Sequence, residues 1–327
     1  MIGGVSNPAD DPGLIAHLAA NSASVQSQLN VALEQQSTGL VSDVYSGLGT
    51  GLRTSLDLRP AVQHQSVWQA NIDAVSGQLE TTQSVLSQIN TIAQTFYAQT
   101  NDLEGSGTPQ AGTIASSAKL ALQQVAQLLN TKVGDTYIFA GQDTANPPLP
   151  STDPAVVGPA LLASDTATAP FSSTLGTAVP QVEVGDGQFV QAGLLANQNT
   201  LATSAAPTTG SYLRDVMRAL ATLTTVTDGP DNSAVAADTR DRLHSAIGAM
   251  ADESGTLGNL QSELTSRQTL LASTQTTLNK QVSDAEDVDA AATLTRVTSL
   301  QTQLQASYQI IAQVRTLSLA NYLSTTG

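Results

Sequence analysis

Three histidines, a run of carboxylates and a glycine-rich loop are the residues of this chain whose types could support chemistry. His17, His64 and His244 fall on separate helical segments with no ligand spacing between them, and there is no cysteine to complete a metal set, so exposed or capping roles are expected. Asp284, Glu286, Asp287 and Asp289 could in principle hold a hard cation. The order lacks the central glycine and distal glutamate of a calcium loop, and placement at a helix N-terminus is the expected use of these charges. Gly47, Gly49 and Gly51 lie in a loop that follows a helix rather than a strand and has no phosphate-binding lysine. The loop reads as a connection between helical layers. No serine occupies a Gly-x-Ser-x-Gly elbow, and no pair of carboxylates has a context for acid–base work. Neither an enzyme nor a cofactor is expected.

The elements that would position these residues are mostly helices. A first helix is predicted over about 14–36, with Leu18, Val25, Leu29 and Ala32 on its stripe and a glycine stop at Gly39. Over 61–99 the residues Trp68, Ile72, Val75, Leu79, Thr82, Leu86, Ile89, Ala93 and Phe96 keep heptad spacing, with Trp68 and Phe96 as packing residues. After a break at 105–109, Ile114, Ala118, Ala121, Val125 and Leu128 mark another helix, and Thr136 to Ala140 is a short β-prone run. Residues 142–210 hold most of the prolines and no Lys or Arg. There Val182–Val184 and Gln188–Val190 flank Gly185-Asp186-Gly187 as a hairpin, which suggests a β-rich or irregular inserted outer module. Helical pattern returns at Tyr212–Leu223, breaks at Asp228-Gly229-Pro230, and continues through Leu243, Met250, Leu257, Leu264, Leu271 and Leu278 as one long seam. Three segments are therefore expected: 1–141 and 211–327 as the halves of an α-helical rod, with 142–210 inserted.

The last helix is expected to open on the acidic cluster and run to Leu323. Leu300, Leu304, Ile311, Val314 and Leu317 form one seam, while Tyr308, Ile310, Leu319, Tyr322 and Leu323 spread around the remaining girth. A helix apolar on several sides wants cover on several sides, either from other copies of the chain or from its own core. The candidate assembly residues are Leu18, Val25, Leu29, Leu300, Leu304, Tyr308, Ile311, Val314, Leu317, Tyr322 and Leu323.

Charge narrows the partners. Twelve Lys and Arg face 27 Asp and Glu, a net charge of −15, so nucleic acid and anionic membrane surfaces are disfavoured. No apolar run is long enough to span a bilayer, and residues 1–13 lack the basic flank and apolar core of a signal peptide.

Four passages together carry a family resemblance: LEQQSTG at 33–39, WQANIDAVSGQLETTQSVLSQI at 68–89, NTKVGDTYIFAG at 130–141 and EDVDAAATLTRVTSLQTQLQASYQIIAQVRTLSLANYL at 286–323. They resemble the flagellin family, most closely its hook-associated members at the junction of hook and filament. The resemblance implies terminal helices paired in a coiled coil and an elongated subunit with the insert facing outward. It also implies export by the flagellar type III route with a chaperone, self-assembly, and neighbours among flagellin and other hook-associated proteins. A filament flagellin and a secreted adhesin are the competing expectations.

Overall fold

A computed structural model describes residues 12–104, 110–163, 169–175, 178–198 and 209–324, with the side chains of 12–15 and 317–324 left aside. The residues form two compact units, one drawn from Met1–Gln63 and Thr274–Gly327, the other from His64–Ser273. The division runs through two long helices.

The first unit begins with helix α1, Pro12–Thr38. It stops at Gly39, whose φ of 74° lies in the left-handed region and whose N–H still reaches the Gln35 carbonyl at 2.9 Å. A short 3-10 turn, Tyr45–Gly47, leads into α2, Gly51–Gln99. This helix starts ten residues before the predicted Ala61, because the heptad signal begins only near Trp68 and Leu52, Leu56 and Leu58 in its first turns are not on a buried stripe. Pro60 sits inside it. The unit closes with the last turns of α6, Ser233–Glu286, and with α7, Ala290–Ser324.

In the second unit α2 buries Ile72, Val75, Leu79, Leu86, Ile89, Ala93 and Phe96, and α6 buries Ala236, Leu243, Met250, Leu257, Leu264 and Leu271. All belong to one apolar cluster, so the heptad spacings read from the sequence are core seams. Helix α3, Ala111–Leu129, has no side-chain cap of its own. Asp228, from the distant turn before α6, supplies it: Oδ1 accepts the Gly112 N–H at 2.8 Å, a charge well placed at the positive end of a helix. The break at Asp228-Gly229-Pro230 is present, but α6 begins three residues past the proline, where the Asp231 side chain accepts from the Ser233 N–H at 2.9 Å.

Strands β1, Lys132–Val133, and β2, Thr136–Tyr137, turn at Gly134 and pair Lys132 with Tyr137, the ammonium lying 4.4 Å from the ring centre. The residues expected to form an inserted module contain one helix, α4, Pro154–Ala163, and one hairpin, β3, Gln181–Gly185, with β4, Gln188–Gln191. Helix α4 was hidden by its prolines. Pro154 occupies the first helical position, where a missing N–H costs nothing, and Asp153 accepts the Ala155 N–H at 2.9 Å. Val157, Leu161, Phe171, Leu175, Val184 and Leu195 join the same cluster as α3 and as α5, Tyr212–Leu223. The hairpin is fixed from α2, where the Asn71 side-chain amide donates to the Glu183 carbonyl at 2.7 Å.

Residues 138–140 are tied to 194–196 by Leu194 N–H to Ile138 O at 3.2 Å, Ala196 N–H to Phe139 O at 3.0 Å and an Ala140–Leu195 bridge. Gly193 makes the turn into this pairing with φ of 101°, and a Cβ there would lie 2.6 Å from the Ile138 carbonyl oxygen. Gly193→Ala is therefore strained in both backbone and contact, and should lower the stability of this unit by about 2–4 kcal/mol. Thermal unfolding followed by circular dichroism measures it, and an unchanged midpoint would contradict the assignment.

Candidate assembly surface

The α1 and α7 helices run antiparallel and share a small apolar core of their own. Leu29, Ala32, Val297 and Leu300 are buried between them, with Val25 and Leu304 packed at the margin. Along α7 the covered positions are 293, 297, 300, 304, 307, 311 and 314, and along α1 they are 18, 22, 25, 29, 32 and 35. This is the four-and-three spacing of a two-helix seam. The seam is not fully apolar. Ser22 is buried with its hydroxyl bonded to the Ala19 carbonyl at 2.9 Å, and Thr293 is buried at the other end.

The candidate residues fall into three groups. Leu18, Val25, Leu29, Leu300, Leu304, Ile311 and Val314 lie on the seam facing the partner helix of the same chain. Tyr308 is 50% exposed. Leu317, Tyr322 and Leu323 lie outside the described side chains.

Exposed apolar residues lie just beyond the seam, three directly after a seam position and two, Val31 and Ile310, directly before one. Leu33 follows the seam residue Ala32, Leu294 follows Thr293, and Tyr308 follows Ser307; all three are exposed. In an antiparallel pair these equivalent heptad positions lie along one flank, so Leu33, Leu294 and Tyr308 line the same side of the helix pair. Ile310, also exposed, precedes the seam residue Ile311 and lies on the other flank. Leu33 and Leu294 were absent from the sequence-derived set. Their only sequence signal is an apolar residue directly after a seam position.

The surface of this pair carries little charge. Across both helices the ionised side chains are Glu34, Arg296 and Arg315. The pair is thus close to neutral, the acidic excess of the chain lies elsewhere, and two such pairs could approach without strong like-charge repulsion.

The acidic residues expected at the start of the last helix are dispersed by a break at 287–289. Asp284 and Glu286 sit in the last turn of α6, and only Asp289 caps α7, accepting the Ala291 and Ala292 N–H groups at 2.9 and 3.1 Å. Asp284 meets Lys280 at 3.4 Å, and Asp287 accepts from the Ser283 hydroxyl. A carboxylate at the negative end of a helix is unfavourable by itself. Glu286 is compensated: Arg59 donates through Nε at 2.8 Å and Nη2 at 2.6 Å, and the Ser55 hydroxyl donates to the same carboxylate.

The histidines stay apart. His64 lies against Trp68 and His244 against Tyr97, each with ring centres 5.9 Å apart, while His17 is exposed. Among the described residues no group of three or more His, Cys, Asp or Glu is placed to hold a metal ion, and no helix is long and apolar enough to cross a membrane.

These paired terminal helices, joined to a second unit built on long heptad seams, define a helical chain whose two ends fold together. Family models agree. The bacterial flagellin N-terminal helical region matches residues 14–144, and the bacterial flagellin C-terminal helical region matches residues 241–323. The chain belongs to the flagellin family. No curated protein sequence matches it.

Solved structures share the fold at low identity. One is a Vibrio parahaemolyticus protein assigned as flagellar hook-associated, at 14% identity and TM-score 0.56, covering 75% of this chain and 99% of that one. Another is Bacillus cereus FlgL, at 15% identity and TM-score 0.51, covering 68% and 97%. A third is Xanthomonas campestris FlgL, at 14% identity and TM-score 0.51, covering 69% and 99%.

The Arg59 and Ser55 hydrogen bonds hold the Glu286 carboxyl below its ordinary value of 4.5, so its contribution to stability is fully present above that pH and is lost as pH falls through the lowered value. Acid unfolding of the unmutated chain should therefore include a loss that begins below pH 4.5. Glu286→Gln should be less stable at pH 7 and should flatten that limb; equal stability of both chains across the whole range would contradict it.

Proposed function

We propose that this chain is a structural subunit of the bacterial flagellum that joins hook to filament and assembles through its α1/α7 pair. The exposed apolar flank of Leu33, Leu294 and Tyr308, on a helix pair that is almost free of charge, carries this reading. Because each is already about half covered, burial against another subunit would contribute about 1 kcal/mol per side chain, repeated at every copy of a helical array. The likeness in fold to hook-associated proteins favours the junction position. A filament flagellin is the second reading, and the two flagellin family matches favour it equally.

In this role the chain would leave the cell by the flagellar type III route, escorted by an export chaperone. Flagellin and another hook-associated protein would be its neighbours. The absence of cysteine suits passage as an unfolded chain, since no disulfide would need to be broken or formed. No catalytic step, cofactor, nucleic acid or membrane is part of the reading.

Deletion of the gene should leave bare hooks and release monomeric flagellin into the medium, as seen by electron microscopy and a secretion assay. Intact filaments would contradict the junction role. Substitutions separate the flank from the seam. Tyr308→Asp with Leu294→Asp should leave the monomer folded yet fail to restore filaments, because the charges would be buried only between subunits. Leu300→Asp should instead reduce helicity in the monomer, because Leu300 is already buried against α1. Full motility of the Leu294/Tyr308 double variant would remove the flank from the interface.

A further inference from the structure

The sequence holds two Asp-Gly pairs, Asp186-Gly187 and Asp228-Gly229. Before a glycine, an aspartate carboxyl group is most easily reached by the next main-chain nitrogen, because glycine has no Cβ to crowd the approach. Gly187 and Gly229 both lie in the left-handed region, with φ of 63° and 97°, and all four residues are exposed. Both sites are thus open to water. They differ in how the carboxylate and its turn are held.

Asp228 is fixed. Its Oδ1 accepts the Gly112 N–H at 2.8 Å, and a Cβ at Gly112 would stand 3.6 Å from its Cγ, so the carboxyl carbon lies against the main chain of α3. The positive end of that helix favours the ionised carboxylate, which has no hydroxyl to lose. The turn is held as well: the buried Asn232 amide donates to the Thr227 carbonyl at 3.1 Å and to the Pro230 carbonyl at 3.2 Å. Asp186 has no such support. Among the described residues its carboxylate has no hydrogen bond or ion pair, and the Gly187 N–H makes a long bond, 3.4 Å, to Glu183 Oε1. The hairpin is anchored below the turn, where Asn71 holds the Glu183 carbonyl and Arg267 Nη1 lies 2.6 Å from the place of a Cβ on Gly185. From 186 to 189 every residue is exposed.

We propose that Asp186 is a site of spontaneous aspartate-to-isoaspartate isomerisation in the folded chain, and that the fold spares Asp228. The Gly187 main-chain nitrogen attacks Cγ of the protonated Asp186 carboxyl group. The N–Cγ bond forms, and the carboxyl hydroxyl leaves as water with the nitrogen's proton. The five-membered succinimide then takes up one water. Opening at Cγ restores aspartate, whereas opening at the main-chain carbonyl carbon leaves the chain running through Cγ and that carbonyl carbon as a free carboxylate. The water lost is regained, so no co-reactant is needed. The main chain gains one carbon between Gly185 and Gln188, which pair across the turn. A two-residue connection sets the register of a hairpin, so lengthening it loosens the closure. The site belongs to the second unit alone and does not depend on the ends of the chain or on its flagellar position.

The full chain is held at neutral pH for weeks, and isoaspartate is read as lost cleavage by a protease that cuts before aspartate but not before isoaspartate, with fragments identified by mass. Position 186 should convert about tenfold faster than 228 or more, the factor that one hydrogen bond to an ionised carboxylate is worth in rate. In urea, where the Gly112 and Asn232 bonds are lost, the two positions should convert at similar rates. Asn232→Ala, with its fold checked by circular dichroism, should speed conversion at 228 and leave 186 unchanged. Similar rates at both positions in the folded chain, or no conversion at 186, would overturn the proposal. So would a preference for 186 that persists undiminished in urea, since it would then come from the neighbouring residues rather than from the fold, or an unchanged rate at 228 in folded Asn232→Ala.

Discussion

The constraint on which the structure depends is the thinness of the seam between α1 and α7. Four apolar side chains are buried there, in helices of 27 and 35 residues, whereas the second unit collects the remaining heptad seams, the hairpin and α4 around one large cluster. A helix pair orders many residues, each at a conformational cost of about 1–2 kcal/mol, and such a narrow seam returns little of it. Further burial must come from outside the pair. The exposed Leu33, Leu294 and Tyr308 are where an apolar neighbour would supply it. Adding cover on one flank would extend the seam into a broader interface without rearranging the helices.

Electrostatics are arranged around the same requirement. The chain is strongly acidic, yet α1 and α7 carry almost none of that charge, and their polar surface is made of Ser, Thr, Gln and Asn. Neutral polar side chains keep a helix soluble and can still be buried against a neighbour at modest cost when they find hydrogen bonds. The second unit uses its charges differently: Arg242 pairs with Asp238 at 2.9 Å, Arg240 meets Glu104, and Asp228 caps α3. There the ions organise a fold. At the end of α6 Glu286 does the same on a smaller scale.

The parts of the fold set by periodicity were legible in the sequence. The seams of α2 and α6, the hairpin about Gly187 and the return of helix at Tyr212 follow from spacing and turn residues. Features that depend on remote partners were not. Helix α4 is recognisable only once Pro154 is seen as a first-turn residue with Asp153 before it. The first turns of α2 carry no apolar stripe. The carboxylates at 284–289 looked like one N-terminal cluster because sequence cannot show that α6 runs to Glu286 and finds Arg59 far back in the chain. For the assembly surface, periodicity marked Leu300 and Leu304 as needing cover but could not say that α1 supplies it. The residues left open, Leu33 and Leu294, sit one place off the stripe, where a repeat pattern gives no reason to look.

The central claim is that the Leu33–Leu294–Tyr308 flank is open in the free subunit and closed in the assembled one. The most direct measurement is the rate of thiol labelling at Tyr308→Cys, the only cysteine in that variant, in the purified monomer and in isolated flagella that carry the subunit. Rapid labelling of the monomer and protection in the assembly is the predicted result; equal labelling in both would contradict the account.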